Sequence, residues 1–262
     1  MSSEINNQII QNVGLCNNIF RNVLCSIFAE KHDLYIEYNF VQGRLMEKML
    51  EMFIQLGIQL FVGKNKYSNQ IVLQEHDYIN VYNFDGKIDF NIIVHDGMYY
   101  QNSSTSMILY NYFNEEKNRN NIIIANKFKD RYNNNNDIFI HIRLGDITNN
   151  FAVCYTYFEK AIESIQYDNI FIASDSPTHD ICVNLCNKYS NCSIVYYNEV
   201  DCIHFGSTCK HVVLSTGTFS CVIGYFSFFS NVYYPEEDIN KKWHGDIFVI
   251  PTWKKIEYCN TF

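Results

Sequence analysis

The sequence has no excess of positive charge: 20 Lys and Arg stand against 28 Asp and Glu, for a net charge of −8. That balance excludes a protein whose affinity comes from broad phosphate neutralisation, so nucleic acid is not an expected partner. One basic pocket for a single small phosphate ligand remains compatible with it. No apolar run approaches the roughly 18 residues of a membrane span, and the opening "MSSEINNQII" lacks the basic and apolar regions of a signal peptide. The expectation is a cytoplasmic protein without a membrane span. No CxxC pair or HxxxH cluster is present; the nearest approach to a metal pattern is Cys182, Cys186 and Cys192. No metal or other cofactor is expected, and the ten cysteines read as small, reduced core residues. Proline (3), glycine (11) and alanine are scarce and asparagine abundant, a bias without functional content except that "NNNN" at 133–136 sits where a linker would serve.

What is present is apolar: 47% of 262 residues, with 16% aromatic, enough for one large core or two modest ones. In the first half, "GLCNNIFRNVLCSIFAEKHDL" places Ile19, Phe20, Val23, Leu24, Ile27 and Phe28 at helical spacing just after Gly14. A short strand at "LYIEY", a helix at "GRLMEKMLEMFIQLG" and strands at "QIVL", "YINVY" and "DFNIIV" follow. After the Asn run, "DIFIHI", "NIFIAS", "SIVYY" and "HVVLS" read as strands, each followed by a helix. Strands that are apolar throughout, separated by helices, indicate an α/β protein with a parallel sheet covered on both faces.

Ligands of such sheets bind at the carboxyl ends of the strands. Three of these ends are polar: "HIRLGD" (His141–Asp146), "IASDS" (Ile172–Ser176) and "LSTGTFS" (Leu214–Ser220). Arg143 follows a buried strand and precedes Gly145, where the chain can turn, so its guanidinium is a candidate for bidentate phosphate binding. His141 reads as a hydrogen-bonded structural residue, and Asp146 as a cap or a general base. Asp175 is either a ribose or base-edge acceptor or the N-cap of the next helix. Ser215, Thr216, Thr218 and Ser220 supply more hydroxyls than one cap needs, at a helix start suited to an anion.

In order along the chain, "GLCNNIFRNVLCSIFAEKHDL", "HDGMYYQN" (His95–Asn102), "FIHIRLGD", "IASDS" and "DCIHFGSTCKHVVLSTGTFSCVIGYF" resemble the conserved segments of the α-1,2-fucosyltransferases of glycosyltransferase family 11. The family has "HxRRGD" where this chain has "HIRLGD", so its second arginine is Leu144 here. A Trp pair after "TFS" is Cys221 and Val222, and "GLGNQ" is "GLCNN".

The resemblance implies a GT-B architecture: two Rossmann-like lobes, 1–132 on the acceptor side and 133–262 on the nucleotide-sugar side, with a cleft between them. It implies an inverting, metal-independent transfer of fucose from GDP-fucose to a galactoside hydroxyl, and the absence of a DxD between apolar runs agrees. Gly14, Asn17, Asn18, His141, Arg143, Asp175, Ser215, Thr216, Thr218, Phe219 and Ser220 would bind the donor, and His95, Asp96, Tyr99 and Gln101 would lie on the acceptor side. Arg143 and Asp146 would be catalytic, with Asp96, His95 and Glu37 as rival bases. A transferase for another activated deoxysugar, and a non-catalytic sugar-nucleotide or glycan-binding protein, stay open, as does the oligomeric state.

Overall fold

The computed structural model describes residues 14–38, 44–93, 98–145, 152–236 and 245–257. In the second half, strand β3 (Ile138–Ile142) is buried at every residue. Alternate side chains of a strand point to opposite faces. Ile138, Ile140, Ile142 and the following Leu144 join one apolar cluster, whereas Phe139 joins another. The first face is covered by helices α6 (Tyr155–Glu163) and α7 (Asp180–Lys188), through Tyr157, Phe158, Ala161, Cys182 and Leu185. The second is covered by α8 (Glu199–Thr208) and α9 (Thr218–Phe226). A strand buried on both sides has no polar face to alternate, which is why these strands read as unbroken apolar runs.

β3 pairs in parallel with β4 (Ile170–Ser174) on one side and β6 (His211–Val213) on the other. With β5 (Cys192–Ile194), β7 (Asn231–Pro235) and β8 (Lys254–Ile256), the sheet runs β5-β4-β3-β6-β7-β8, and every pair is parallel. Numbered along the chain these six strands lie in the order 3-2-1-4-5-6, the doubly wound order of nucleotide-binding sheets. Its direction reverses between β3 and β6. β7 and β8 carry no strong signal of their own in the sequence.

The first half supplies α1 (Leu15–His32), α2 (Arg44–Gln55), a two-stranded parallel sheet of β1 (Asn69–Val72) and β2 (Phe90–Ile93), α4 (Ser103–Asn114) and α5 (Glu116–Ala125). The expected strand "LYIEY" contributes isolated parallel bridges, Leu34 to Asn65 and Glu37 to Ile93. The expected strand "YINVY" is instead a short helix, α3 (Tyr78–Tyr82). There Tyr78 is fully buried, donates its hydroxyl to the Leu24 carbonyl at 2.8 Å and stacks on Tyr82 at 6.0 Å, so tertiary packing overrides the β-prone composition. Helix α4, which no periodic pattern in the sequence announces, begins with a reciprocal cap between Asn102 and Thr105.

Helices α1 and α4 pack directly against α9. Phe20 meets Tyr225 at 5.9 Å, Phe113 meets Phe226 edge-on at 5.1 Å, and the Ser106 hydroxyl bonds to the Tyr225 hydroxyl at 2.5 Å. One apolar core thus draws on both halves of the chain.

Candidate functional site

At the reversal between β3 and β6 the two strand ends diverge, and the turn after each strand is held by the turn after the other. The Arg143 N–H donates to Ser215 Oγ at 3.2 Å. The Ser215 N–H donates to Ser220 Oγ at 3.1 Å, and the same oxygen lies 2.6 Å from His141 Nδ1. A hydroxyl oxygen can accept two hydrogen bonds, so which partner donates in this last contact follows the imidazole tautomer. Burial pushes the His141 pKa down from 6.5 to about 4; Asp175 opposes this in part and Arg143 adds to it. The His141 imidazole is neutral at neutral pH, held by Ser220 and packed against Phe219 at 5.0 Å.

The surplus of hydroxyls thus has a physical account inside the protein. Ser215 and Ser220 are fully buried and committed to the strand ends, Thr216 is buried in the same turn, and Thr218 donates to Asn17 Oδ1 at 2.8 Å.

Gly217 lies at φ +93° and ψ 167°, a conformation essentially restricted to glycine. A β-carbon built there would collide with Arg143 Nη1, so the guanidinium lies directly over the glycine α-carbon. Gly217 is also the N-cap residue of α9, and no side chain caps that helix. A guanidinium and an uncapped helix start are thereby placed side by side, both suited to one anion.

Asp175 is not the N-cap of α7; that position is His179, whose Nδ1 accepts from the Ile181 N–H at 3.2 Å. The Asp175 carboxylate instead accepts the backbone N–H groups of Leu144 at 2.9 Å and Gly145 at 3.0 Å. It ties the turn after Arg143 to the end of β4. Leu144, where the related motif has arginine, is 3% exposed in the apolar cluster against α6. The β-strand alternation turns residue 144 away from the face that carries His141. Cys221 and Val222 are likewise fully buried in the core around α9.

Residues from the first half reach the same place. Asn17 Oδ1 accepts from both Thr218 Oγ1 and Gln101 Nε2, the latter at 3.0 Å, so three expected site residues meet at one oxygen. Gln101 is delivered by Tyr100, a buried residue at φ 54° whose hydroxyl donates to the Leu73 carbonyl at 2.6 Å. Glu75 Oε1 accepts the N–H groups of Tyr99 and Tyr100 at 2.7 and 2.8 Å and secures that turn.

Other expected site residues lie elsewhere. Asn18 is 1% exposed and accepts from Arg21 Nη2 at 2.8 Å, a structural role inside α1. Gly14 precedes α1 at φ −58°, a conformation open to any residue. Glu37 lines a separate cleft of about 330 Å³ with Tyr38 and Gln70, where it accepts from the Tyr35 hydroxyl at 2.9 Å. His95, Asp96 and Asp146 lie outside the described residues.

The reversal opens into a cleft of about 710 Å³ lined by His141, Arg143, Ser174, Asp175, Phe219 and the segment 195–199. Tyr196, Tyr197, Asn198 and Glu199 in that segment belong to no motif singled out from the sequence. The signal available was their position at the end of and just after "SIVYY" (193–197), the third strand stretch in chain order of the parallel sheet. Among the described residues no group of three or more His, Cys, Asp or Glu side chains is placed to hold a metal.

No protein family model matches the chain, and no curated protein matches it in sequence. Solved structures do. Fucosyltransferase NodZ from Bradyrhizobium aligns at 11% identity and a TM-score of 0.38, covering 60% of this chain and 58% of that one. NodZ alpha-1,6-fucosyltransferase soaked with GDP-fucose aligns at 12% identity and a TM-score of 0.38, covering 65% and 62%. The chain therefore spans about three fifths of the length of these structures.

Proposed function

We propose that the chain is an inverting glycosyltransferase that takes fucose from GDP-fucose and places it on a galactoside hydroxyl in α-1,2 linkage. The observation that carries the reading is the packing of Arg143 over Gly217 at the uncapped start of α9, in the reversal crevice of a doubly wound sheet. The ordered motifs from Gly14 to "STGTFS" support the choice of donor.

In this reading the donor diphosphate lies against Arg143 and the first turn of α9. As the bond from the anomeric carbon to the β-phosphate breaks, negative charge gathers on the departing phosphate. Groups already aimed at that charge stabilise the transition state without reorganising. The backbone of Arg143 is held by Ser215 and the next turn by Asp175, and the guanidinium lies against Gly217. No metal takes part, the arginine supplying the positive charge. His141 presents a neutral imidazole beside the same ligand.

The acceptor hydroxyl attacks the opposite face of the anomeric carbon and gives its proton to a carboxylate. Asp146, close in sequence to Arg143, is our candidate, with His95 and Asp96 as alternatives on the acceptor side beside Tyr99 and Gln101. In this reading 1–132 is the acceptor-side half and 133–262 the donor-side half, and Asn17, Gln101 and Thr218 are one place where the two are joined. The transition state is cationic at the sugar ring, so a weak base suffices. Among the described residues no helix is long and apolar enough to cross a membrane.

The test is incubation with GDP-fucose and a panel of galactosides, with and without EDTA. Release of GDP together with a fucosylated product in EDTA is the expected result. Binding of GDP with no turnover on any acceptor would make the chain a sugar-nucleotide-binding protein, and no thermal shift with any nucleotide sugar would overturn both readings.

A further inference from the structure

Cys186 lies near the end of α7 and Cys192 opens β5, with a tight turn between them. The Tyr189 N–H donates to the Leu185 carbonyl and the Cys192 N–H to the Tyr189 carbonyl, each at 3.1 Å, so the backbone brings the two side chains together. Their sulfur atoms are 3.1 Å apart, and both residues are half-buried, within reach of a small solute. Cys182, the third member of the sequence pattern, is fully buried and donates its thiol to the Ser176 carbonyl at 3.8 Å. With no cluster of three ligating groups among the described residues, the arrangement is a pair and not a metal triad. Burial, together with the neighbouring Cys186, pushes the Cys192 pKa well up, so Cys192 keeps its proton at neutral pH.

We propose that Cys186 and Cys192 are a redox pair, closing to a disulfide in the presence of a peroxide and thereby stapling α7 to β5. The sulfurs need approach by only about 1 Å, which side-chain rotation supplies. The Cys186 thiolate attacks one oxygen of hydrogen peroxide; the O–O bond breaks, and the departing hydroxide takes up a proton as water. The sulfur of Cys192 then attacks the resulting Cys186 sulfenic acid, the S–O bond breaks, and a second water leaves with the Cys192 proton. Two thiols are oxidised and one peroxide is reduced. β5 is one of the two edge strands of the sheet, paired with β4 alone, and it runs directly into the 195–199 wall of the large cleft. The staple therefore acts on a strand held from one side only.

The experiment treats the intact, folded protein with hydrogen peroxide, digests it with trypsin without reductant and sequences cross-linked peptides by fragmentation. Cleavage after Lys188 separates the two cysteines, so the expected product is a pair of peptides joined through Cys186 and Cys192, with a mass lower by two hydrogen atoms and restored by dithiothreitol. Cys186→Ser should abolish the cross-link, and Cys154→Ser should retain it. Amide exchange across β5 should slow in the oxidised protein and recover on reduction. Sulfinic or sulfonic acid at Cys186 with no cross-link, a cross-link between other cysteines or between chains, or β5 exchange unchanged by closure would each overturn the proposal.

Discussion

Replacing Gly217 by alanine perturbs backbone and site at one atom. At φ +93° and ψ 167° an L-residue is strained by about 1–3 kcal/mol. For a chain of this size that corresponds to a fall in Tm of about 2–10 °C. The added methyl also stands within clashing distance of Arg143 Nη1, so the guanidinium shifts from its place against Gly217. Loss of one preorganised donor to a developing oxyanion lowers turnover by about 100- to 1,000-fold. The assay pairs thermal denaturation with GDP release from GDP-fucose, and Arg143→Lys serves as the comparator. That variant keeps the charge but loses the planar fork, so turnover should fall while Tm stays close to that of the parent. A Gly217→Ala protein that melts and turns over like the parent would refute both the strain and the placement of Arg143. A loss of Tm with turnover intact would refute the phosphate role alone.

Leu144→Arg restores the residue found in related motifs yet inserts a charge into the apolar face against α6. The expected cost is about 3 kcal/mol or more in denaturant unfolding, with no gain in turnover. A stable, more active variant would show that residue 144 faces the cleft. His141, with its pKa lowered to about 4 from 6.5, binds fewer protons folded than unfolded between those values. Its contribution, about 3 kcal/mol, is present above pH 6.5 and is lost as pH falls towards 4. Unfolding measured from pH 7 to 4 should show a shallower slope in His141→Asn, and an unchanged slope would count against the buried neutral imidazole. Asn17→Ala removes the oxygen shared by Gln101 and Thr218 and should cost about 1–3 kcal/mol of stability. Equal stability by chemical denaturation would show that the cluster does not join the two halves.

Much of the second half was legible because its signals are local. A strand covered on both faces must be apolar throughout, so "DIFIHI" and "NIFIAS" announce themselves and their polar ends mark where a ligand can sit. That His141 and Leu144 lie on opposite faces follows from alternation along the chain. The first half was less legible. "YINVY" has the composition of a strand and becomes a helix because Tyr78 finds the Leu24 carbonyl and a fully buried site, contacts made 54 residues away in sequence.

What the sequence determined by itself is the set of pieces: parallel strands, the helices between them, one arginine, and a run of hydroxyls at a helix start. Only the tertiary structure decided what those hydroxyls do. Strand order places β3 beside β6, and that adjacency lets Ser215 and Ser220 bond the backbone of Arg143 and the ring of His141. It also makes Asp175, which the sequence leaves between a ligand acceptor and a cap, the anchor of the Arg143 turn, and it sets Gly217 beneath a guanidinium. These are contacts across tens of residues, fixed by which surfaces must be buried together, and no local pattern encodes them.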